Sequence, residues 1–138
     1  MRSKPDFGER EEMPVPDWSE WCRRAEDIEL DGEAVIIKLP DGRRQRVVVA
    51  LTGTSYEFRS VVARRDRLEM ISDIELRAWR RNRSAQLVSL GFDAKGRLMA
   101  GAWVPLAGIS SDEFLSCIRH VAVEADLFEY QLTGADRE

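Results

Sequence analysis

Between residues 33 and 62 the chain offers only short β-branched or aromatic runs, each closed by a turn signal, and this limits what it can fold into. Ala34-Val35-Ile36-Ile37, within 33–39, is too short for a helix and rich in β-branched side chains, and Pro40-Asp41-Gly42 ends it. Val47-Val48-Val49 centres a second run over 46–51. After Thr52-Gly53-Thr54 a third run sets Tyr56, Phe58 and Val62 at even spacing, the signature of a strand with one buried face. Three antiparallel strands in a meander follow, and a sheet of that kind needs helices to cover it.

Helical signals flank the meander. Asp17 with Glu20 reads as a capping box opening a helix over 17–26, with Trp18, Trp21, Cys22 and Ala25 at helical spacing. Ser72 with Glu75 opens a second over 72–82, where Ile74, Leu76, Ala78 and Trp79 mix with Arg77, Arg80 and Arg81. Two further strands, 85–92 and 98–104, are joined by the hairpin turn Asp93-Ala94-Lys95-Gly96, and Pro105 stops the second. Ser110 and Glu113 cap a last helix that carries Phe114, Leu115, Ile118, Val121, Ala122 and Ala125 to about residue 126. The order is α-β-β-β-α-β-β-α, an α+β fold with a five-stranded antiparallel sheet. One domain is expected over 17–132, between a flexible arm at 1–16 that holds Pro5, Pro14 and Pro16 and a flexible tail at 133–138.

With 138 residues, 43% of them apolar and 33% charged, the composition is that of a folded domain. No apolar run approaches the roughly 18 residues of a membrane-spanning helix, and the first fifteen residues lack the apolar stretch of a signal peptide, so a cytoplasmic protein with no membrane partner is expected. The charge is uneven. Residues 1–42 carry −6, residues 43–97 carry +7 and residues 98–138 carry −5. A basic middle between acidic ends either attracts an acidic partner or is matched by the fold's own acids, and the second reading is favoured.

The inventory for catalysis is thin. His120 is the only histidine and lies inside the last helix; Ser116 and Cys117 share that helix, with neither a nucleophile elbow nor an orienting acid. Glu11-Glu12 and Glu26-Asp27 read as solvated acids. Gly91, Gly96 and Gly101 straddle a hairpin and match no phosphate-binding loop. Cys22 and Cys117 stand far apart and read as buried thiols, and with one histidine no metal site is expected. The chain therefore reads as a non-enzyme without catalytic residues, cofactor or metal.

Binding is the remaining class. Trp18, Trp21, Trp79 and Tyr56 are the candidate anchors for a partner, because aromatic side chains bury large area at low entropy cost. Trp103 alternates with Ala102 and Val104 and is expected in the core. Arg64, Arg65, Arg67, Arg77, Arg80, Arg81 and Arg83 form a basic cluster for an acidic partner or nucleic acid. Nucleic acid is the weaker alternative, since the sequence pI is near 5.2 and no helix-turn-helix or RNP-like signature is present.

The element order resembles the type III secretion chaperone fold. Phe92-Asp93-Ala94-Lys95-Gly96-Arg97-Leu98, Val104-Pro105-Leu106, Ile109-Ser110, Glu113-Phe114, Val121-Ala122 and Ala125-Asp126 are similar to the pattern of the bacterial YbjN-like family, which shares that fold. The resemblance implies a curved sheet and a homodimeric protein-binding scaffold, chaperone-like or regulatory, and carries over no catalytic residue. It points to a dimer interface on helix 72–82 and strand 98–104. The arginine-rich middle departs from the acidic character of such chaperones.

Overall fold

The structure is a computed structural model that describes residues 17–83 and 86–133. The arm expected at 1–16 and the tail beyond 133 lie outside the described residues, as do Pro5, Pro14, Pro16 and the pair Glu11-Glu12.

Helix α1, Trp18–Arg23, leads into strands β1 (Ile28–Asp31), β2 (Ala34–Lys38), β3 (Arg44–Thr52) and β4 (Ser55–Ala63). Two helices follow, α2 (Arg65–Leu68) and α3 (Ile74–Arg83), then β5 (Ser89–Phe92), β6 (Leu98–Pro105) and the long α4 (Ser111–Thr133). The strands form one antiparallel sheet in the order β1-β2-β3-β4-β6-β5. It has six strands where the sequence suggested five. The extra one, β1, has only four residues, but Asp31-Gly32 is a hairpin signal, and Gly32 takes the positive φ of 65° that the two-residue turn to Ala34 requires.

The new strand shortens the helix before it. Helix α1 stops at Arg23 instead of 26, because the Ala25 N–H donates to the Cys22 carbonyl, and the Ile28 N–H to that of Ala25, as the chain turns into β1. The expected capping box at Asp17 does not form: its Oδ1 accepts a hydrogen bond from the Ser19 hydroxyl at 2.5 Å. Helix α3 likewise begins after Asp73, which sits at φ 53°, so Ser72 lies one residue too early to cap it. The short helix α2 carries no periodic signal and was not foreseen.

The capping box at Ser110 and Glu113 does form, in both directions: the Ser110 N–H donates to Glu113 Oε1 at 2.9 Å and the Glu113 N–H to Ser110 Oγ at 3.1 Å. Helix α4 then runs seven residues past its expected end and covers one face of β3, β4 and β6. Phe114 is the hub of the core. Tyr56, Phe58, Trp18 and Trp21 surround its ring with centroids 5.0 to 6.0 Å away. Ala100 and Ala102 of β6 point the same way, and their small side chains let the helix approach the sheet.

One buried polar pair interrupts the apolar core. Gln45 Nε2 donates to Ser60 Oγ at 2.8 Å, and the Ser60 hydroxyl donates to the Arg46 carbonyl at 2.7 Å, across β3 and β4. Three ion pairs fasten α4 to elements far away in sequence: Arg119 with Asp27 at 2.9 Å, Arg43 with Asp126 at 2.7 Å, and Arg81 of α3 with Glu124.

Candidate partner-binding surfaces

With α4 on one side, the opposite face of β4, β6 and β5 is left open by the described residues. Alternation along β6 sends Leu98, Ala100 and Ala102 inward and Met99, Gly101 and Trp103 outward. Trp103 is 66% exposed, which corrects its expected place in the core. It stands opposite Glu57 of β4, while Gly101 lies opposite Arg59 on one side and Ser89 on the other. Arg59 and Glu57 pair at 3.1 Å. Because Gly91 and Gly101 carry no side chain, the sheet backbone forms the floor of a trough of about 450 Å³, with Trp103 and Met99 among its walls. A side chain at 101 would crowd the Phe58 carbonyl, whereas position 91 has open space above it.

The other candidate anchors fall elsewhere. Tyr56 is wholly buried between Phe58 and Phe114, so it presents no surface, a correction that follows from its even spacing with Phe58 on the core-facing side of β4. Trp18 and Trp21 are half-buried on Phe114. Of the four candidates Trp79, 58% exposed on α3, is the one that projects outward.

The basic cluster divides in two. Arg64 faces Asp66 at 3.8 Å, Arg65 faces Glu69 at 3.6 Å, and Arg81 reaches Glu124. Arg67, Arg77, Arg80 and Arg83 have no carboxylate at ion-pair distance among the described residues, and the Arg83 guanidinium lies 5.2 Å from the centre of the Trp79 ring. Helix α3 packs on β5, with Ile74 and Ala78 buried. Its bridge to α4 places it on the helix side of the sheet, whereas the exposed side of strand 98–104 faces the other way.

At its end α3 also closes the sheet edge. Asn82 Nδ2 donates to the Leu90 carbonyl at 2.8 Å, and Asn82 Oδ1 accepts from the Leu90 N–H at 2.7 Å, so one carboxamide occupies both outward backbone groups of an edge-strand residue. On α4, Val123, Leu127 and Tyr130 form an exposed stripe at i, i+4 and i+7, which with Leu39 and Pro40 lines a second concavity of about 440 Å³.

Groups with chemical potential are quiet. Desolvation pushes the thiols of Cys22 and Cys117 up to about 11, away from the thiolate. His120 is half exposed, with Nε2 3.8 Å from Glu124. Among the described residues no group of three or more His, Cys, Asp or Glu is placed to hold a metal ion, and no helix is long and apolar enough to cross a membrane.

By sequence the chain matches no family model and no curated protein. By structure it aligns with YbjN from E. coli at a TM-score of 0.63, over 90% of this chain and 96% of that one, at 14% identity. The chain has the YbjN fold. Looser matches are the Yersinia pestis type III secretion chaperone SycH, solved with a fragment of YscM2 (TM-score 0.49, 11% identity, 79% of this chain and 97% of that one), and the HopA1-SchA chaperone-effector complex (0.48, 13%, 80% and 84%). The YbjN fold agrees with the likeness carried by the β5-β6 hairpin and the capped helix after it.

Proposed function

We propose that this chain is a non-enzymatic protein-binding module, an escort for a client segment or a regulatory adaptor, that works in the cytoplasm as a homodimer. One observation carries the binding reading: the exposed Trp103 beside a glycine-floored trough on a sheet face that no helix covers among the described residues. Tryptophan is the side chain that most often dominates a protein interface, and bare backbone beneath it lets a partner chain lie close. Support for the dimer comes from the Val123, Leu127 and Tyr130 stripe, whose spacing suits the same stripe of a second copy across a two-fold axis.

Affinity capture from the protein's own cell lysate, with and without nuclease, tests the first part. A partner held by the native chain after nuclease and lost from Trp103→Ala and Gly91→Val supports the sheet face. Equal recovery on all three sinks it. Sedimentation at micromolar concentration tests the second part: a lone 15.8 kDa species overturns the dimer, and a dimer dispersed by Leu127→Glu supports the helix stripe.

A further inference from the structure

The surface of this fold is largely neutralised by its own ion pairs. Across the sheet Arg44 faces Glu29 and Arg46 faces Asp31, along β4 Arg59 faces Glu57, and Arg64 and Arg65 at the start of α2 have Asp66 and Glu69 within one turn. On the outward side of α3 two unpaired arginines stand together. Leu76, Trp79, Arg80 and Arg83 recur at i, i+3, i+4 and i+7 and are all exposed, and neither arginine has a carboxylate at ion-pair distance among the described residues. On a chain of net charge −4, two unmatched positive charges thus share one face of a short helix, interleaved with two large apolar side chains.

We propose that this face of α3 is a docking surface for an acidic segment of a partner protein, one that alternates carboxylates with apolar side chains. The carboxylates pair with Arg80 and Arg83, and the apolar side chains cover Leu76 and the free part of the Trp79 ring. The Arg83 guanidinium over Trp79 already holds the ring and one charge in register, so part of the ordering cost is met before the partner arrives. Two features favour a peptide over nucleic acid. The helix is 10 residues long, about 15 Å at 1.5 Å per residue, and so meets few phosphates. The negative charge of the rest of the chain repels a long polyanion more than a short acidic segment. This surface lies on the other side of the sheet from the Trp103 trough, and it stands or falls independently of that site.

The test uses the full-length protein and a labelled synthetic peptide of repeating Asp-Phe-Glu-Leu, with fluorescence anisotropy as readout. Controls are the same peptide with Lys for each acid, an all-Glu peptide and a single-stranded oligonucleotide of equal length. Only the acidic-apolar peptide should bind well, and the double variant Arg80→Glu/Arg83→Glu should weaken it by about tenfold or more. Trp79→Ala should weaken it several-fold and Leu51→Ala, at an exposed position outside both surfaces, leave it unchanged. All four positions are exposed, and thermal unfolding checks that each variant folds. Binding that ignores the charge reversal, or no binding, overturns the proposal. So does an oligonucleotide that binds as tightly as the peptide at about 150 mM salt, which would assign the helix to nucleic acid.

Discussion

Ser60 holds two roles at a wholly buried position, accepting from Gln45 and donating to the Arg46 carbonyl. Replacing it with alanine leaves both of those groups short of a partner where water is excluded, so Ser60→Ala should cost about 1–3 kcal/mol, read as a lower midpoint in urea at unchanged slope. Cys22 and Cys117 make a complementary case. With both thiols raised to about 11, neither should react with a thiol reagent at about pH 8 in the folded protein, and both should react once denaturant is added. A fast-reacting cysteine in the native state would contradict the packing around Phe114. Their burial was legible from residue type alone. Trp103 was not: in Gly101-Ala102-Trp103-Val104 either parity gives an acceptable strand, and only the helix lying over Ala100 and Ala102 decides which side faces water. Tyr56 was legible, since its even spacing with Phe58 puts both rings on the one buried face of β4.

The elements that could be read from the sequence are those whose local chemistry and tertiary packing agree. The reciprocal cap at Ser110 and Glu113 and the turn at Asp93, whose Oδ1 accepts from the N–H groups of Lys95 and Arg97 while Gly96 takes a φ of 80°, stand as expected. Where tertiary geometry imposes another course, capping signals misled: α1 must break off to enter β1, and α3 starts only after Asp73. The Asn82 bridge was beyond reach, since its partner is a backbone and not a side chain pattern. Asn82→Ala should open the outward edge of β5, seen as faster amide exchange at Leu90 and a greater tendency to associate edge to edge. Unchanged protection at Leu90 would show that α3 holds the edge without its carboxamide.

Across the whole molecule, charge is organised as the favoured reading of the sequence held: the arginines of the basic middle mostly find acids, several of them from the acidic ends. The Arg119 hydrogen bond holds the Asp27 carboxyl below its usual range, and hydrogen bonds from the Arg97 backbone and side chain do the same for Asp93. A depressed folded value means the carboxylate stabilises the native state above the unfolded pKa and ceases to as the pH falls through the folded one. Stability should therefore hold from neutral pH to about pH 4 and decline below it, and Asp27→Asn should flatten that decline. An unchanged acid limb in the variant would assign the loss to other carboxylates. The sheet core depends throughout on α4, which is made after every strand it covers. On the ribosome Tyr56 and Phe58 emerge long before Phe114 can cover them, and the three clamps at Arg119, Glu124 and Asp126 come later still. The nascent strands must then wait with their apolar side exposed, so a chain arrested before α4 is a substrate for holding chaperones and proteases, and a stop codon in the first half of that helix removes the protein rather than trimming it.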